Sequence, residues 1–304
     1  MNFNEAYVSV GDATVIMAGK KGSIINKGDD EPFNFLGLFN SEKVDVGVGY
    51  NDGLAGVNQI QDGGHVIQIV SDLGNGVSVG AGLEDINDAV AGRAGTAVGV
   101  ISYAGESLTA HATLMAGGIL DGKANAYAIH AGLTGTFDHF KIRGAFAANN
   151  DVANNRTNWE ALASAQATFD MFTLAVSGEA ANVVGISSGG FGGSVGFAVT
   201  DGIQINLGGR YFDSDTNVAN TEGFQVAGQL VAAVTETLKL TGELGVYGEN
   251  FGYGGQARGT YNNVFYGAAE LAWAPGGDFT ASVKGQAFAT GGYKATFKAA
   301  KTFQ

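Results

Sequence analysis

No cysteine occurs in the 304 residues, which excludes a disulfide framework and any thiolate metal site. That absence is compatible with an oxidising compartment. Long apolar runs are missing too. No stretch of about 18 apolar residues exists, so no transmembrane helix is available. Charge is scarce, 15% against the roughly 25% of ordinary soluble domains, and its balance is acidic at −13. Lys and Arg form no basic stripe, so nucleic acid is not an expected partner. Residues 1–30 lack the basic region and apolar core of a secretion signal. The first strand begins almost at once, at Phe3, as it would if Met1 replaced a removed leader or the chain were a piece of a longer one.

Catalytic patterns are equally thin. His65, His111, His130 and His139 show no HExxH spacing and no neighbouring ligand pair. The glycine-rich Gly74–Gly80 precedes a strand, whereas a phosphate cradle needs a helix N-terminus. No GxSxG elbow occurs. No enzyme activity and no cofactor are expected. Acidic loops carrying Asp85, Asp88, Asp213 and Asp215 offer oxygen ligands for Ca2+, but without EF-hand spacing they read better as solvated charge.

What the chain has is period-2 alternation, sustained from end to end. Hairpins are expected at Phe3–Val10/Ala13–Ala18, Phe33–Phe39/Lys43–Tyr50, His65–Val70/Val77–Leu83, Ala97–Tyr103/Ser107–Met115 and Asn125–Phe137/His139–Ala147. They continue at Asn158–Phe169/Met171–Glu179, Phe191–Val199/Ile203–Phe212, Phe224–Val234/Leu238–Tyr247 and Val264–Trp273/Phe279–Phe288, with a last strand Tyr293–Phe303. Short turns alternate with longer loops such as Asn51–Asp62, Asn182–Gly190 and Glu249–Asn263. Short periplasmic turns and longer external loops are the asymmetry of a transmembrane barrel, and the strands have about the spanning length. A soluble sandwich or solenoid would alternate as well. It would need bulkier inward residues than the Ala and Gly found here, and protected edges. The expected fold is therefore an all-β, transmembrane antiparallel β-barrel. The tally is 19 strands, closure asks for an even number, and the expectation is 16–20 with 18 favoured. Such a width leaves an aqueous channel. With no linker visible, residues 1–304 read as one domain.

Alternation also sorts side chains by face. Phe140, Ile142 and Phe146 oppose Lys141 and Arg143; Ile203, Ile205, Leu207 and Tyr211 oppose Gln204, Asn206 and Arg210. Lys239, Lys284, Lys294 and Lys298 likewise stand opposite apolar neighbours. Charge facing lipid is costly, so these cations, with Glu5, Asp45, Glu160, Glu179, Glu243 and Glu270, are expected on the lumen face. Aromatics fall mostly on the lipid face, which counts against a sugar-specific channel.

One stretch, Gly19–Gly37, breaks the rhythm. Residues 20–32 carry Lys20 and Lys21, then Asp29, Asp30 and Glu31. We expect this loop to fold into the barrel and narrow it. Its acids would face the basic wall residues Lys20, Lys21, Lys141, Arg143, Arg210, Lys239, Lys284, Lys294 and Lys298 and set a weak cation preference. The alternative is a solvated external loop.

FNEAYVSVGDATVIMAGKKGS at Phe3–Ser23 resembles the porin strand–turn–strand that feeds an inward-folded constriction loop, with Gly19-Lys20 where Gly-Arg is usual. Pro32–Tyr50 resembles the hairpin that follows, and Ala274–Phe303 the closing hairpin and last strand. The resemblance is to Gram-negative outer-membrane porins, especially the alphaproteobacterial general-diffusion type. Three departures stand out: about three leading strands are absent, later hairpins are more numerous, and Gln304 follows the terminal aromatic Phe303. The resemblance implies a multi-pass barrel in the outer membrane, in contact with lipid and lipopolysaccharide and usually a homotrimer. It would pass small hydrophilic solutes and ions by passive diffusion without a cofactor, although loop-bound Ca2+ occurs in such proteins. Different outcomes would be a substrate-specific sugar channel, or a structural or adhesive barrel without an open pore.

Overall fold

Side chains of alternating character make one strand after another in the computed structural model, which describes residues 5–26, 28–37, 44, 62–89, 93–152, 154–249 and 262–301. The strands are β1 (Ala6–Gly11), β2 (Thr14–Lys21), β3 (Gly64–Gly74), β4 (Val77–Glu84), β5 (Thr96–Ala104) and β6 (Leu108–Gly117). Next come β7 (Ala126–Phe137), β8 (Phe140–Asp151), β9 (Arg156–Phe169), β10 (Phe172–Val183), β11 (Ile186–Thr200) and β12 (Ile203–Asp213). The last are β13 (Glu222–Ala233), β14 (Leu238–Glu249), β15 (Asn262–Gly276), β16 (Phe279–Phe288) and β17 (Tyr293–Lys301). All 17 belong to one sheet. Sequence neighbours pair antiparallel, as in β6–β7 and β12–β13. The fold class is the one expected: all-β, antiparallel, of the transmembrane-barrel type. A short 3-10 turn at Ile119–Asp121 is the one helical element among the described residues. Among the described residues no helix is long and apolar enough to cross a membrane, which leaves crossing by strands untouched.

Turn chemistry explains the tight connections. Between β3 and β4, Asn75 (φ 53°) and Gly76 (φ 79°) both take the left-handed conformation that a two-residue type I′ hairpin requires. The expected loop Asn182–Gly190 shrinks to such a turn as well. β10 runs to Val183 and β11 starts at Ile186, leaving Val184 and Gly185 at φ 54° and 81°. The Ser and Gly that suggested a loop there lie inside β11.

Seventeen strands lie among the described residues, within the expected 16–20, and of the tallied strands the hairpin Phe33–Phe39/Lys43–Tyr50 is not among them. Residues 33–37 form bends and a turn, and Val44 is not in a strand; residues 38–43 and 45–50 lie outside the described residues. Asn34 closes that turn: its backbone carbonyl accepts from Gly37 N (3.0 Å) and its side-chain amide donates to Gly37 O (3.1 Å). Phe35 and Leu36, adjacent in sequence, both pack on one apolar cluster, which a strand of period 2 forbids.

The chain divides into two units. The first comprises Met1–Glu31, Lys43–Ser164 and Glu179–Ser187; the second Pro32–Glu42, Ala165–Gly178 and Ser188–Gln304. In the first, registered pairs put Met17, Gln68, Val98, Met115, Ala128 and Asn149 on one face. All of these but Met17 are buried. Val8, Val10, Ile16, Ile67, Ile69 and Leu114 occupy the other face and are exposed, Val10 to 74%. The second unit has the same two-sidedness. Leu207, Val226, Leu244, Phe265, Val283 and Phe297 are exposed on one face, while Asn206, Gln225 and Tyr266 are buried on the other. Apolar side chains left bare on this scale suit hydrocarbon as the solvent. We call the two sides the bare face and the polar face.

Candidate functional site

The segment that leaves β2 lies along the polar face of the first unit, held by one strand after another. Gly22 N donates to Glu5 Oε1 (2.9 Å), and Gly22 O accepts from Gln68 Nε2 on β3 (3.0 Å). Ile24 N donates to Glu84 Oε1 at the end of β4 (3.0 Å). Glu84 is fully buried and also accepts from Gln68 Nε2 (2.8 Å) and Gly63 N (2.7 Å). Three donors therefore satisfy the buried carboxylate.

Further along, Asn26 reaches β5 and β6. Its side-chain amide donates to Ser102 Oγ (3.0 Å), and its backbone N–H and C=O both bond Thr113 Oγ1 (3.0 Å each). Gly28 O accepts from His111 Nε2 on β6. Gly132 on β7 lies directly beneath. A Cβ there would stand 2.8 Å from Gly28 O, 2.8 Å from His111 Nε2 and 3.0 Å from Asp29 Cβ, so the close approach requires glycine.

The acids follow. Asp29 accepts from Thr109 Oγ1 (2.9 Å) and from Thr134 Oγ1, and Arg143 Nη2 of β8 lies 3.8 Å from its Oδ1. Arg143 is pinned in turn: Nε donates to Thr134 Oγ1 (2.8 Å) and Nη1 to Glu31 O (2.7 Å). Asp30 is buried, with Oδ2 at 3.6 Å from His130 Nε2 on β7. His130, fully buried, donates from the same nitrogen to Val44 O (2.8 Å), and Val44 N donates to Asp30 O (3.1 Å). Both limbs of the segment, at Gly28–Asp30 and at Val44, are thus fastened to β6 and β7.

In the second unit the segment continues at Asn34, which accepts from Ser177 Oγ on β10. Phe35 and Leu36 cover Phe212, Ala227, Tyr247, Val264 and Tyr266 on the polar face. Gly208 makes room: a Cβ there would stand 2.7 Å from Phe35 Cε1. Beside that cluster runs a hydrogen-bonded ladder across β12–β15. Gln204 Nε2 donates to Asn206 Oδ1 (2.7 Å), Asn206 Nδ2 to Gln229 Oε1 (3.0 Å), and Gln229 Nε2 to Glu243 Oε2 (3.1 Å). Tyr266 OH donates to Glu243 Oε1 (2.7 Å) and accepts from Gln225 Nε2 (2.6 Å), while Arg210 Nε donates to Gln225 Oε1 (2.7 Å).

The basic residues named from the sequence fall into three groups. Arg143 and Arg210 are part of the networks above. Lys141, Lys239, Lys284, Lys294 and Lys298 are exposed on polar faces, paired across strands with Thr136, Ala272, Glu270 and Thr296, Gln286, and Ser282 respectively. Lys20 and Lys21 part company. Lys21 shares the polar face with Gly19 and Val66, its Nζ 4.3 Å from the Tyr7 ring centroid. Lys20 pairs with His65 and stands on the bare face with Ile16 and Ile67, against the expectation of a wall residue. Two consecutive strand residues cannot share a face. Of the expected lumen acids, Glu5, Glu84's neighbour in the network, bonds the segment, and Asp45 lies outside the described residues.

Sequence reasoning missed several members: Gln68, Glu84, Thr109, His111, Thr113, His130 and Thr134. Their one sequence signal is a polar residue at an inward-facing position of β3, β4, β6 or β7, which marks the face but not its partner. Tyr247, Tyr266 and Phe288 on the polar face also depart from the expectation that aromatics keep to the lipid side. Among the described residues no group of three or more His, Asp or Glu is arranged to hold a metal ion.

No family model and no curated protein matches the chain. Among solved structures it is similar to a mutant porin of Rh. blastica, at 15% identity over 77% of this chain and 88% of that one, with TM-score 0.45. It is similar to OmpT, an outer membrane protein of Vibrio cholerae, at 12% identity over 67% and 87%, TM-score 0.42. A third likeness is the siderophore receptor PirA from Acinetobacter baumannii, at 11% identity over 76% and 54%, TM-score 0.41.

Proposed function

We propose that this outer-membrane β-barrel forms a water-filled channel through which small hydrophilic solutes and ions diffuse passively. One observation carries the reading. The wall has a bare apolar face suited to lipid and a polar face that the segment covers only in part. In the second unit Lys239, Lys284, Lys294 and Lys298 remain exposed on that polar face. A structural or adhesive barrel has no use for a hydrophilic, uncovered inner wall. A sugar channel would use aromatic rings open to the solute, whereas Tyr247 and Tyr266 are buried beneath Phe35 and Leu36.

The segment 20–32 acts in this proposal as a constriction fixed to the wall. Its acids Asp29 and Asp30 are engaged by Thr109, Thr134, Arg143 and His130, so the proposal does not assign them the weak cation preference. Assembly as a homotrimer in contact with lipopolysaccharide belongs to the same proposal, and mass measurement of the detergent-extracted complex tests it. For the channel itself, the refolded chain in a planar bilayer should give stepwise, ohmic currents. Correctly folded protein that leaves the bilayer silent would overturn the reading.

A further inference from the structure

Sign of charge is segregated along this chain. Against a total of −13, the stretch from Leu271 to Gln304 carries four lysines, Lys284, Lys294, Lys298 and Lys301, and one acid, Asp278. Three of those lysines share one face. Lys298 pairs with Ser282, Lys284 with Thr296, and Lys294 with Gln286, so their ammonium groups rise in three steps along β16 and β17. At about 3.4 Å per residue the steps are roughly 7 Å apart. The row that contains Lys298 continues through Ser282 and Ala272 to Lys239 on β14.

These cations make no close ion pair. Among the described residues no carboxylate lies within ion-pair distance of Lys239, Lys284, Lys294 or Lys298. The ion pairs there belong to Arg93, His130, His139 and Arg143. Glu270 stands opposite Lys284 on the same face, and Glu243 is bound by Tyr266 and Gln229. Hydroxyls fill the positions between the lysines. Lys239, Lys298, Thr237, Thr280 and Ser282 line a cavity of about 510 Å³ together with Glu236, Glu270 and apolar residues such as Trp273. Ammonium groups at spacings below the Debye length add their fields, and hydroxyl donors between them suit an oxyanion.

We propose that the polar face of β14–β17 is a binding track for oxyanions, with inorganic phosphate as the simplest ligand and phosphate-bearing solutes as the class. The proposal rests on the channel reading and names the solute that reading leaves open. Lipid phosphate is an unsuitable source, because Tyr293 and Phe297, which would meet acyl chains, occupy the opposite face.

Two measurements test it. Binding of inorganic phosphate to the full, detergent-folded chain is followed by phosphorus NMR line broadening. Chloride current through bilayer-inserted protein is followed as phosphate is added. We expect saturable broadening and saturable block. The triple variant K284Q/K294Q/K298Q should raise the half-saturating phosphate concentration on the order of tenfold, and K284R/K294R/K298R should stay near the parent. No broadening in the parent overturns the track, as does equal broadening in the glutamine variant with its sheet intact by circular dichroism. Phosphate binding without any channel current supports the track and sinks only the channel reading.

Discussion

The imidazoles of His111 and His130 lie stacked in parallel, 5.2 Å between centroids and 8° between planes. Each points Nε2 at a carbonyl of the segment, His111 at Gly28 and His130 at Val44. A carbonyl only accepts, so both rings carry a proton on Nε2, and both Nδ1 atoms are buried without a hydrogen-bond partner among the described residues. Two adjacent strands thereby grip the outgoing and the returning limb with the same chemistry.

His130→Leu should therefore loosen the segment. It leaves Val44 O, on a fully buried residue, without its side-chain donor, at a cost of about 1–3 kcal/mol. His139→Leu is the control, since His139 and Asp138 are both more than half exposed and such pairs contribute about 0–1 kcal/mol. Urea unfolding of the detergent-folded protein reads both. Equal stability of the two variants would remove the grip.

Gly132→Val tests the close approach rather than the hydrogen bonds. The side chain would meet Gly28 O and Asp29 Cβ at or inside contact distance, and overpacking of this kind costs about 1–3 kcal/mol. The sheet should survive while residues 22–31 become accessible to protease, as limited proteolysis with mass mapping would show. Protection equal to the parent would mean that the segment does not rest on β7.

Strand positions were legible because a two-residue period with small side chains and Asn-Gly or Asp turns leaves few other solutions. The face of Lys141, Arg143 and Arg210 followed from the same parity. Phe33–Phe39 misled because its apolar positions mimic a strand, whereas Phe35 and Leu36 pack side by side on Phe212 and its neighbours. Lys20 misled because a doublet of lysines hides parity. The grip of His111, His130, Thr109 and Thr134 on the segment could not be read at all. Those residues lie 80 to 105 positions from Gly28, Asp29 and Val44, and local pattern carries no information about which distant backbone they meet.

Outside the strands, Asp85 offers a pH test. It follows β4 in a left-handed conformation (φ 48°), and burial first, then the neighbouring Asp88, pushes its carboxyl above the ordinary value of 3.8. A raised acid pKa means that the folded state holds the proton more tightly, so ionised Asp85 opposes folding. That opposition is full above the folded-state pKa and disappears as pH falls towards 3.8. Asp85→Asn, which tolerates the same backbone, should be more stable than the parent at pH 7 and lose its advantage near pH 4. An advantage independent of pH would show that charge is not its cause.

Asp29→Asn separates holding the segment from selecting ions. The carboxylate takes hydroxyl hydrogens from Thr109 and Thr134 and lies 3.8 Å from Arg143, itself bonded to Thr134 and to Glu31 O. Its charge is thus matched within a few ångströms, and the field it projects towards a passing ion is small beside that of an unpaired group. An amide would lose charge-assisted bonds worth about 1.5–3 kcal/mol each and leave the Arg143 guanidinium without its carboxylate. The expected result is a lower unfolding midpoint; the uncovered guanidinium moves the reversal potential in a salt gradient towards anions, and D29N/R143Q, which removes both charges, restores it. A shift towards anions that persists in the double variant, with stability intact, would return Asp29 to the role first expected of it, a selectivity charge facing the solution.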